Sequence, residues 1–514
     1  MPNVIRICDV LRIMKNDGIF AAKMPLRRTS LSKNKYDMKK LLSLSLLAML
    51  TACGGGGGGD SSNSSSPVTS YPASSTLANL CVNPRANSAD RQGTVDNEKA
   101  YLRSFIDETY LWYKDVPTNL VAANYATPQA YFDVLKTPLK TASGKLVDEF
   151  HWSQTTESWN AASSGIERGY GIQWASQSSS TPRNWIVAEV EPGSPAALAG
   201  VKRGNRLTSV DGIDFVNDNT TSGTVTLNAG LLESSGKAHK FGFNGEAEIS
   251  LTPATYTKQT VKNVKIIPTA QGNIGYFIFD AHLEKSVAEV IAAIEQLKAA
   301  NVNDLVIDMR YNGGGLIAVA SGLAYAIAGP TATNGKTFEQ YIHNDKLTER
   351  NMAVPFYASS PDGQAVPYLG LKRVSLLVSQ GTASASEAFI NGLRGVNVQV
   401  DLIGDTTRGK PYGFAPQDNC GYTYFAIQFK GVNDKGYGDY ADGFEPTCKA
   451  TDDYSHLRGD VEETMLKTAL THRLTGACPS TSRSLAHHAS RELKYELVRP
   501  ATKEMRILTG IPTR

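Results

Sequence analysis

Leu305-Val306-Ile307-Asp308-Met309-Arg310-Tyr311-Asn312-Gly313-Gly314-Gly315 is the stretch on which the fold turns. An apolar run of strand length ends in charged residues and then in three consecutive glycines, after which an apolar helical pattern begins. Upstream, Ile274 to Phe279 reads as a strand and Ser286 to Ala300 as a helix. Downstream, Val374 to Val378 reads as a buried strand, followed by Gly381 and a helix that starts near Ser386. Strands alternating with helices predict an α/β core with a largely parallel sheet over residues 262–478. In such a sheet, chemistry is expected in the loops that follow the strands.

Two further regions precede this core. From Asn97 to Lys114, apolar residues recur at helical spacing, and Val116-Pro117 stops the pattern. With a second helix over Pro128 to Leu135, residues 81–160 read as a small helical N-terminal domain, its Tyr110-Leu111-Trp112-Tyr113 cluster serving as core. Residues 165–255 change to short strands and glycine turns: Gly169-Tyr170-Gly171-Ile172 leads into a strand, and Ile186 to Val190 runs into Glu191-Pro192-Gly193-Ser194-Pro195. This region resembles a PDZ domain of the bacterial protease type. The resemblance implies that Gly169, Tyr170, Gly171 and Ile172 form the peptide-binding loop, with backbone N–H groups for a peptide's C-terminal carboxylate and an adjacent strand for its backbone. The expected fold class is therefore multidomain α/β, with a helical N-terminal domain, a PDZ-like β-rich domain and the α/β core.

The chain has 514 residues, 41% hydrophobic and 20% charged, which excludes wholesale disorder and fibrous repeats. Its net charge of +3 is carried by the front: residues 1–52 hold ten Lys+Arg and three Asp+Glu, leaving 42 against 46 beyond them. A slightly acidic body gives no reason to expect a nucleic-acid partner. Met38-Lys39-Lys40 followed by a short leucine-rich run and Leu50-Thr51-Ala52-Cys53 has the form of an export signal and is too short for a stable membrane span. Leu50 to Cys53 resembles a bacterial lipobox, which implies a signal peptide over 38–52, lipidation of Cys53 and residues 1–37 as an upstream extension of the true start. An ordinary signal peptide or a membrane anchor is the alternative. Residues 53–80, rich in glycine and serine, read as a flexible tether. By the sorting rule of lipoproteins generally, Gly54 after the cysteine points to the outer membrane of a Gram-negative cell. The tail 479–514 is basic, with seven Lys+Arg against three Glu, and reads as a solvated or surface-docked extension.

Cys81, Cys420, Cys448 and Cys478 remain, an even number that in an exported chain favours two disulfides in one of three connectivities. The pairing favoured here is Cys420–Cys448 and Cys81–Cys478. No C-x-x-C or neighbouring Cys/His cluster suggests a metal, and no cofactor is expected.

Three motifs carry the chemistry. Asp308-x-Arg310-x-Asn312-x-Gly314-Gly315 offers backbone N–H groups that hold an oxyanion, although a plain strand-to-helix turn explains it equally. Gly381-Thr382-Ala383-Ser384-Ala385-Ser386-Glu387 places hydroxyls at a helix N-terminus, where serines are usually caps. Gly404-Asp405-x-x-x-Gly409-Lys410 is the third. In this order, behind a PDZ-like module, they resemble the tail-specific, or C-terminal-processing, serine proteases over residues 165–475. The resemblance implies Ser384 as nucleophile, Lys410 as general base, and the N–H groups of Ala385 and Gly314 as oxyanion donors. Ser386 is then a helix cap and Glu387 a structural partner. A lysine base must be neutral, which requires burial to lower a pKa that is ordinarily ~10.4.

Many members of that family carry Gln four residues after the lysine. Here Phe414 stands there, and Gln417 is the candidate third member. Gly329 to Thr337 nearly reads as a nucleotide loop but has five intervening residues and follows a helix, so it is set aside. The expected activity is a lipid-anchored envelope serine endopeptidase acting on unfolded or C-terminally exposed proteins, with an unidentified activator left open as a further partner. Two alternatives are a catalytically silent peptide-binding scaffold lipoprotein and a Ser-His hydrolase using His282.

Overall fold

The computed structural model describes residues 71–232, 236–479 and 494–498. The expected signal peptide, Cys53 and most of the basic tail lie outside the described residues. Among the described residues no helix is long and apolar enough to cross a membrane.

In the N-terminal region, helix α1 (Val95–Thr109) begins at Thr94, whose hydroxyl accepts the Asn97 N–H while the Asn97 side chain accepts the Thr94 N–H, a reciprocal cap. It ends earlier than the periodicity suggests because Tyr110 turns extended. The Tyr110 phenol donates to buried Asp148 and its carbonyl accepts from Asn344, so tertiary bonds outbid the next helical turn. The second expected helix is a single turn, Pro128–Phe132. The last residues of the expected tether are folded: Ser74–Leu77 is a helical turn, and the Ser74 N–H donates to Glu108 at 2.7 Å. Strand β1 (Trp152–Thr155) closes the region.

The PDZ-like region has a buried core of its own, built on Tyr170, Trp185, Val187, Leu207, Phe215, Leu227 and Phe241. Strands β2 (Ile172–Ser178) and β3 (Asn184–Val190) pair antiparallel, and helix α2 (Thr221–Leu231) accompanies them. A second sheet joins Leu207–Val210, Ile213–Asp214, His239–Phe243 and Ile249–Leu251.

The core is a six-stranded sheet. In chain order come β4 (Val261–Thr269), β5 (Gly272–Phe279), helix α3 (Ser286–Ala299), β6 (Val302–Asp308), helix α4 (Ile317–Thr333), β7 (Arg373–Val378), helix α5 (Ala385–Gly395) and β8 (Gln399–Gly404). Strands β9 (Gln417–Asn419) and β10 (Tyr422–Phe425) form a side sheet with β1. Strand β11 (Cys448–Lys449) and helix α6 (Thr464–Thr475) complete the core, and the distant strand β12 (Glu496–Leu497) joins the PDZ-like region. The sheet order is β4-β5-β6-β7-β8-β11; only β4 against β5 is antiparallel, so the largely parallel sheet holds. Helix α4 is broken at Gly329, φ +70°, and the rejected nucleotide motif is divided between that helix end, up to Thr333, and the turn into a strand that begins at Thr337.

The N-terminal region is not self-contained. Its core of Leu102, Phe105, Tyr110 and Phe132 includes Tyr424, Ala426 and Ile427 from the far end of the chain. This explains a correction to the cysteine pairing. The bonds are Cys81–Cys420 and Cys448–Cys478, not Cys420–Cys448 and Cys81–Cys478. Docking of the N-terminal region on β9 and β10 brings Cys81 to Cys420, in the turn between those strands. Helix α6 packs Met465, Leu466 and Ala469 around Cys448 and so returns Cys478 to the edge strand.

Candidate active site

The three motif loops leave the C-terminal ends of three adjacent parallel strands. The glycine-rich turn follows β6, the serine turn follows β7 and the lysine loop follows β8, with Asp308 opposite Leu377 and Val378 opposite Gly404 in register. The topology thus converges residues that are a hundred apart in sequence.

The first turn is anchored by charge. Asp308 and Arg310 are fully buried, and Arg310 Nε donates to Asp308 at 2.9 Å. Arg310 also grips Glu463, at the start of α6, with both terminal nitrogens at 2.9 and 3.0 Å. Arg458 reaches Asp308, Asp280 and Glu189, which ties the core to β3. Burial alone would raise the Asp308 carboxyl, but the Arg310 and Arg458 guanidiniums outweigh it and hold the group well below the usual carboxylate range. These motif charges are scaffold.

Asn312 shapes the rest of the turn. Its amide oxygen accepts the Gly314 N–H at 3.0 Å and bonds His282 Nδ1 at 3.1 Å, while its amide nitrogen donates to Phe279 O. The Asn312 carbonyl accepts the Ala383 N–H and the Ser386 hydroxyl, so the glycine turn and the serine turn are stitched together. Gly314, φ +102°, must be glycine: a β-carbon there would stand 2.8 Å from Ala383 O and Ser384 Cβ. His282 is fully buried, and burial pushes its ring down to about 4. Its ring meets Asn312 and Phe279.

Ser384 has φ +58° and ψ −117° immediately before α5. A non-glycine residue in that region costs about 1–3 kcal/mol and persists only where its surroundings hold it. Glu387 does so. Its buried carboxylate accepts the Ser384 N–H at 3.0 Å, the Lys410 N–H at 2.8 Å, the Gly409 N–H at 2.7 Å and the Thr407 hydroxyl at 2.5 Å. Ser384 and Lys410 donate to the same oxygen, Oε2. Burial pushes the Glu387 carboxyl up, opposed by these four bonds. The Arg408 N–H donates to Thr382 O, closing the serine and lysine loops on each other.

The Lys410 side chain is largely buried, its Nζ 4.3 Å from the Phe414 ring centre and 4.8 Å from that of Phe150. Phe414 therefore occupies space beside the lysine that the family resemblance gives to Gln. Gln417 lies on β9 opposite Tyr424, with its amide bonded to the Tyr101 phenol and the Asp418 carbonyl. Phe150 comes from the N-terminal region and left no signal in the sequence. The Ala385 N–H sits in the first turn of α5, where no carbonyl of the helix can receive it.

In the PDZ-like region, Gly171 has φ +77° and a β-carbon there would meet Ser194 at 2.1 Å. Tyr170 points inward, its phenol donating to Gly230 O on α2, so its side chain belongs to the core.

Comparison with known proteins identifies the three regions. The model of Peptidase family S41 matches residues 273–439, that of the Peptidase S41 N-terminal domain residues 97–153, and that of a PDZ domain residues 186–224. The chain belongs to peptidase family S41. Among curated relatives, it is 24% identical over 324 residues to Carboxyl-terminal-processing peptidase 2, chloroplastic, of Arabidopsis thaliana, covering 60% of this chain and 58% of that one. It is 27% identical over 233 residues to the Carboxyl-terminal-processing protease of a Picosynechococcus species, covering 43% and 49%. The chain thus spans about half the length of these relatives. An S41 structure from Bacteroides fragilis matches 76% of this chain and 99% of its own with a TM-score of 0.60 at 22% identity, which shows the fold.

Proposed function

We propose that this S41 chain is a serine endopeptidase in which Ser384 is the nucleophile and Lys410 its general base. The observation that carries the reading is the Glu387 carboxylate, whose single oxygen Oε2 holds both the Ser384 and the Lys410 backbone. Such an arrangement fixes the two loops relative to one another, which is what a nucleophile and its base require.

In the proposed reaction, neutral Lys410 takes the Ser384 proton as Oγ attacks a peptide carbonyl carbon. The carbonyl π electrons move to oxygen, and the oxyanion is met by the Ala385 N–H and the Gly314 N–H. The Gly314 N–H is donated to Asn312 Oδ1, so that bond is shared or exchanged as the oxyanion forms. Collapse breaks the C–N bond, and the departing amine takes the proton from Lys410. Water then attacks the ester carbonyl and gives its proton to Lys410, and the restored carbonyl expels Ser384, which recovers that proton.

Burial of the lysine favours this reading, and the rings beside it work the other way. Two rings and burial surround its amine, and burial disfavours charge, whereas an aromatic face favours it. The substrates proposed are unfolded or C-terminally exposed proteins, delivered through the PDZ-like loop at Gly169–Ile172. Lipid attachment at Cys53 and an outer-membrane location complete the proposal, resting on the sequence alone.

The test is hydrolysis of an unfolded protein by chain starting after the glycine run, between about pH 6 and 10, a range that brackets a lowered lysine pKa. Wild type is expected to cleave, faster as pH rises, and Ser384→Ala and Lys410→Ala to be inactive. Full hydrolysis by both variants refutes the pair; binding of peptide C-termini with no cleavage by wild type supports the silent scaffold instead. Comparing His282→Ala with Lys410→Ala separates the Ser-His alternative.

A further inference from the structure

PDZ-type recognition uses the strand edge beside the glycine loop to pair with an extended peptide. In this chain that strand is β2. One of its edges is taken by β3, and the other is occupied by the chain's own tail. Strand β12 pairs antiparallel, with Glu496 opposite Ser176 and Leu497 opposite Ala175, and the Val498 N–H donates to Trp174 O at 2.9 Å.

The side chains of this segment alternate as a seated strand requires. Leu497 enters an apolar strip of Ala175, Ile186, Ala188 and Tyr311, and Val498 packs on the PDZ-like core. The Tyr495 ring meets Tyr454 edge-on with centres 5.4 Å apart. Tyr311 and Tyr454 belong to the α/β core, so the strip has one wall from each region.

Polarity matters more than occupancy. Lys494, at the N-terminal end of the segment, is ion-paired with Asp405 in the loop that carries Lys410. Leu497 Cδ1 lies 3.0 Å from where a β-carbon of Gly381 would stand, three residues before Ser384. From Lys494 to Val498 the segment therefore runs from the active-site loops toward Gly169–Ile172. A bound peptide with its C-terminal end at that loop follows the same line, with its earlier residues directed at Ser384 and Lys410.

We propose that residues 494–498 are an intramolecular competitor seated on the docking strip for substrate, and that the strip takes an extended segment of the pattern Tyr-x-Leu-Val. The consequence for hydrolysis rests on the peptidase reading above; the competition for the strip does not. An unpaired strand edge is adhesive, and a segment that covers it in the resting chain also prevents unselective pairing. A substrate binds only to the fraction of molecules whose tail has left, so its apparent affinity is reduced by that fraction.

The experiment uses the soluble chain with its full tail and the Ser384→Ala substitution, and follows the anisotropy of fluorescein-labelled Lys-Tyr-Glu-Leu-Val-Arg. Leu497→Asp puts a charge into the apolar strip and is expected to tighten binding of the labelled peptide about tenfold over the wild-type tail, the gain for a strip nine-tenths occupied. Lys494→Glu alters only a partly exposed ion pair. It is expected to give a smaller gain in the same direction and guards against misfolding of the first variant. With Ser384 intact, Leu497→Asp is expected to lower KM for an unfolded protein by the same factor at unchanged kcat. Equal peptide affinity in the wild-type tail and both variants, or no binding to any of them, overturns the proposal. Tighter peptide binding without hydrolysis by any form leaves the competitor standing and removes the peptidase reading.

Discussion

Glu463 and Glu387 are both buried carboxylates at the start of a helix, and they are held in opposite ways. Glu463 faces a guanidinium: Arg310 grips it with two nitrogens, while the Leu466 N–H, in the first turn of α6, and the Asp453 N–H also donate to it. Glu387 faces neutral donors, three backbone N–H groups and a hydroxyl, contributed by the serine turn and the lysine loop. The first arrangement cancels charge and locks the sheet to the helix behind it. The second spends a carboxylate on orientation, joining two loops without placing a formal positive charge against it. Buried charge that has been neutralised by its opposite marks the frame here; a carboxylate satisfied by dipoles marks the place where loops must be held to a fraction of an ångström.

The comparison is broken most severely by Glu463→Ala. It leaves Arg310 buried opposite Asp308 and Asp452 with one partner gone, and the expected loss is about 3–5 kcal/mol in urea denaturation. At a temperature where this variant remains folded, kcat should stay near wild type.

The next largest effect separates stability from activity. Glu387→Gln turns an NH2 group toward donors that need an acceptor, so we expect a loss of about 1–3 kcal/mol, smaller than for Glu463→Ala. Hydrolysis should nonetheless fall at least about a hundredfold, since misplacement of a positioned group is enough to do so. A Glu387→Gln variant with wild-type kcat would remove the distinction.

His282 sharpens it through pH. Its folded value is down at about 4, against about 6.5 for the unfolded chain. The unfolded state therefore binds the proton first on acidification, and stability should fall from near pH 6.5 toward pH 4 by up to roughly 3 kcal/mol. Denaturation midpoints across that range should show this slope, and His282→Phe should flatten it.

The smallest effect concerns the ring beside the lysine. Phe414→Leu removes an aromatic face while keeping an apolar neighbour, at a cost to an ammonium of about 0.5–1 kcal/mol. The rising limb of the pH–rate profile should move to lower pH by less than about one unit. No movement would show that the Phe414 ring does not act on the amine.

Much of this arrangement was legible in the residues themselves. Apolar runs bounded by glycine located β5, β6 and β7, and the alternation with helices implied a parallel sheet, because periodicity and turn chemistry are local signals. The motifs containing Arg310, Ser384 and Lys410 stood out through their resemblance to a protease family, since each alone reads as a turn or a helix cap, and that Arg310 belongs to an ion-pair frame was not visible. Partners drawn from remote segments left no trace: Phe150 against Lys410, Gln417 turned to Tyr101, Cys81 beside Cys420. The cysteine pairing was misread because it depends on how the N-terminal region docks, which no spacing encodes. Likewise the tail, read as a basic extension by its charge, contains in Tyr495, Leu497 and Val498 a short alternating pattern too brief to stand out as a strand.

The shared core of the N-terminal region also bears on the order in which the molecule is assembled. The PDZ-like region buries its core residues, from Tyr170 to Leu251, among themselves, with Val498 of the tail packing onto them from afar. Helix α1 does not. Its apolar face awaits Tyr424, Ala426 and Ile427, the Leu111 N–H awaits Ile427 O, and Cys81 awaits a cysteine 339 residues later. Such distant closures are slow because the chain's freedom is lost before contacts repay it. Phe150 reaches Lys410 only when that closure is made, so the earliest-made part of the folded chain completes the surroundings of the lysine among the last steps, and a nascent chain carries the motifs long before it carries the site.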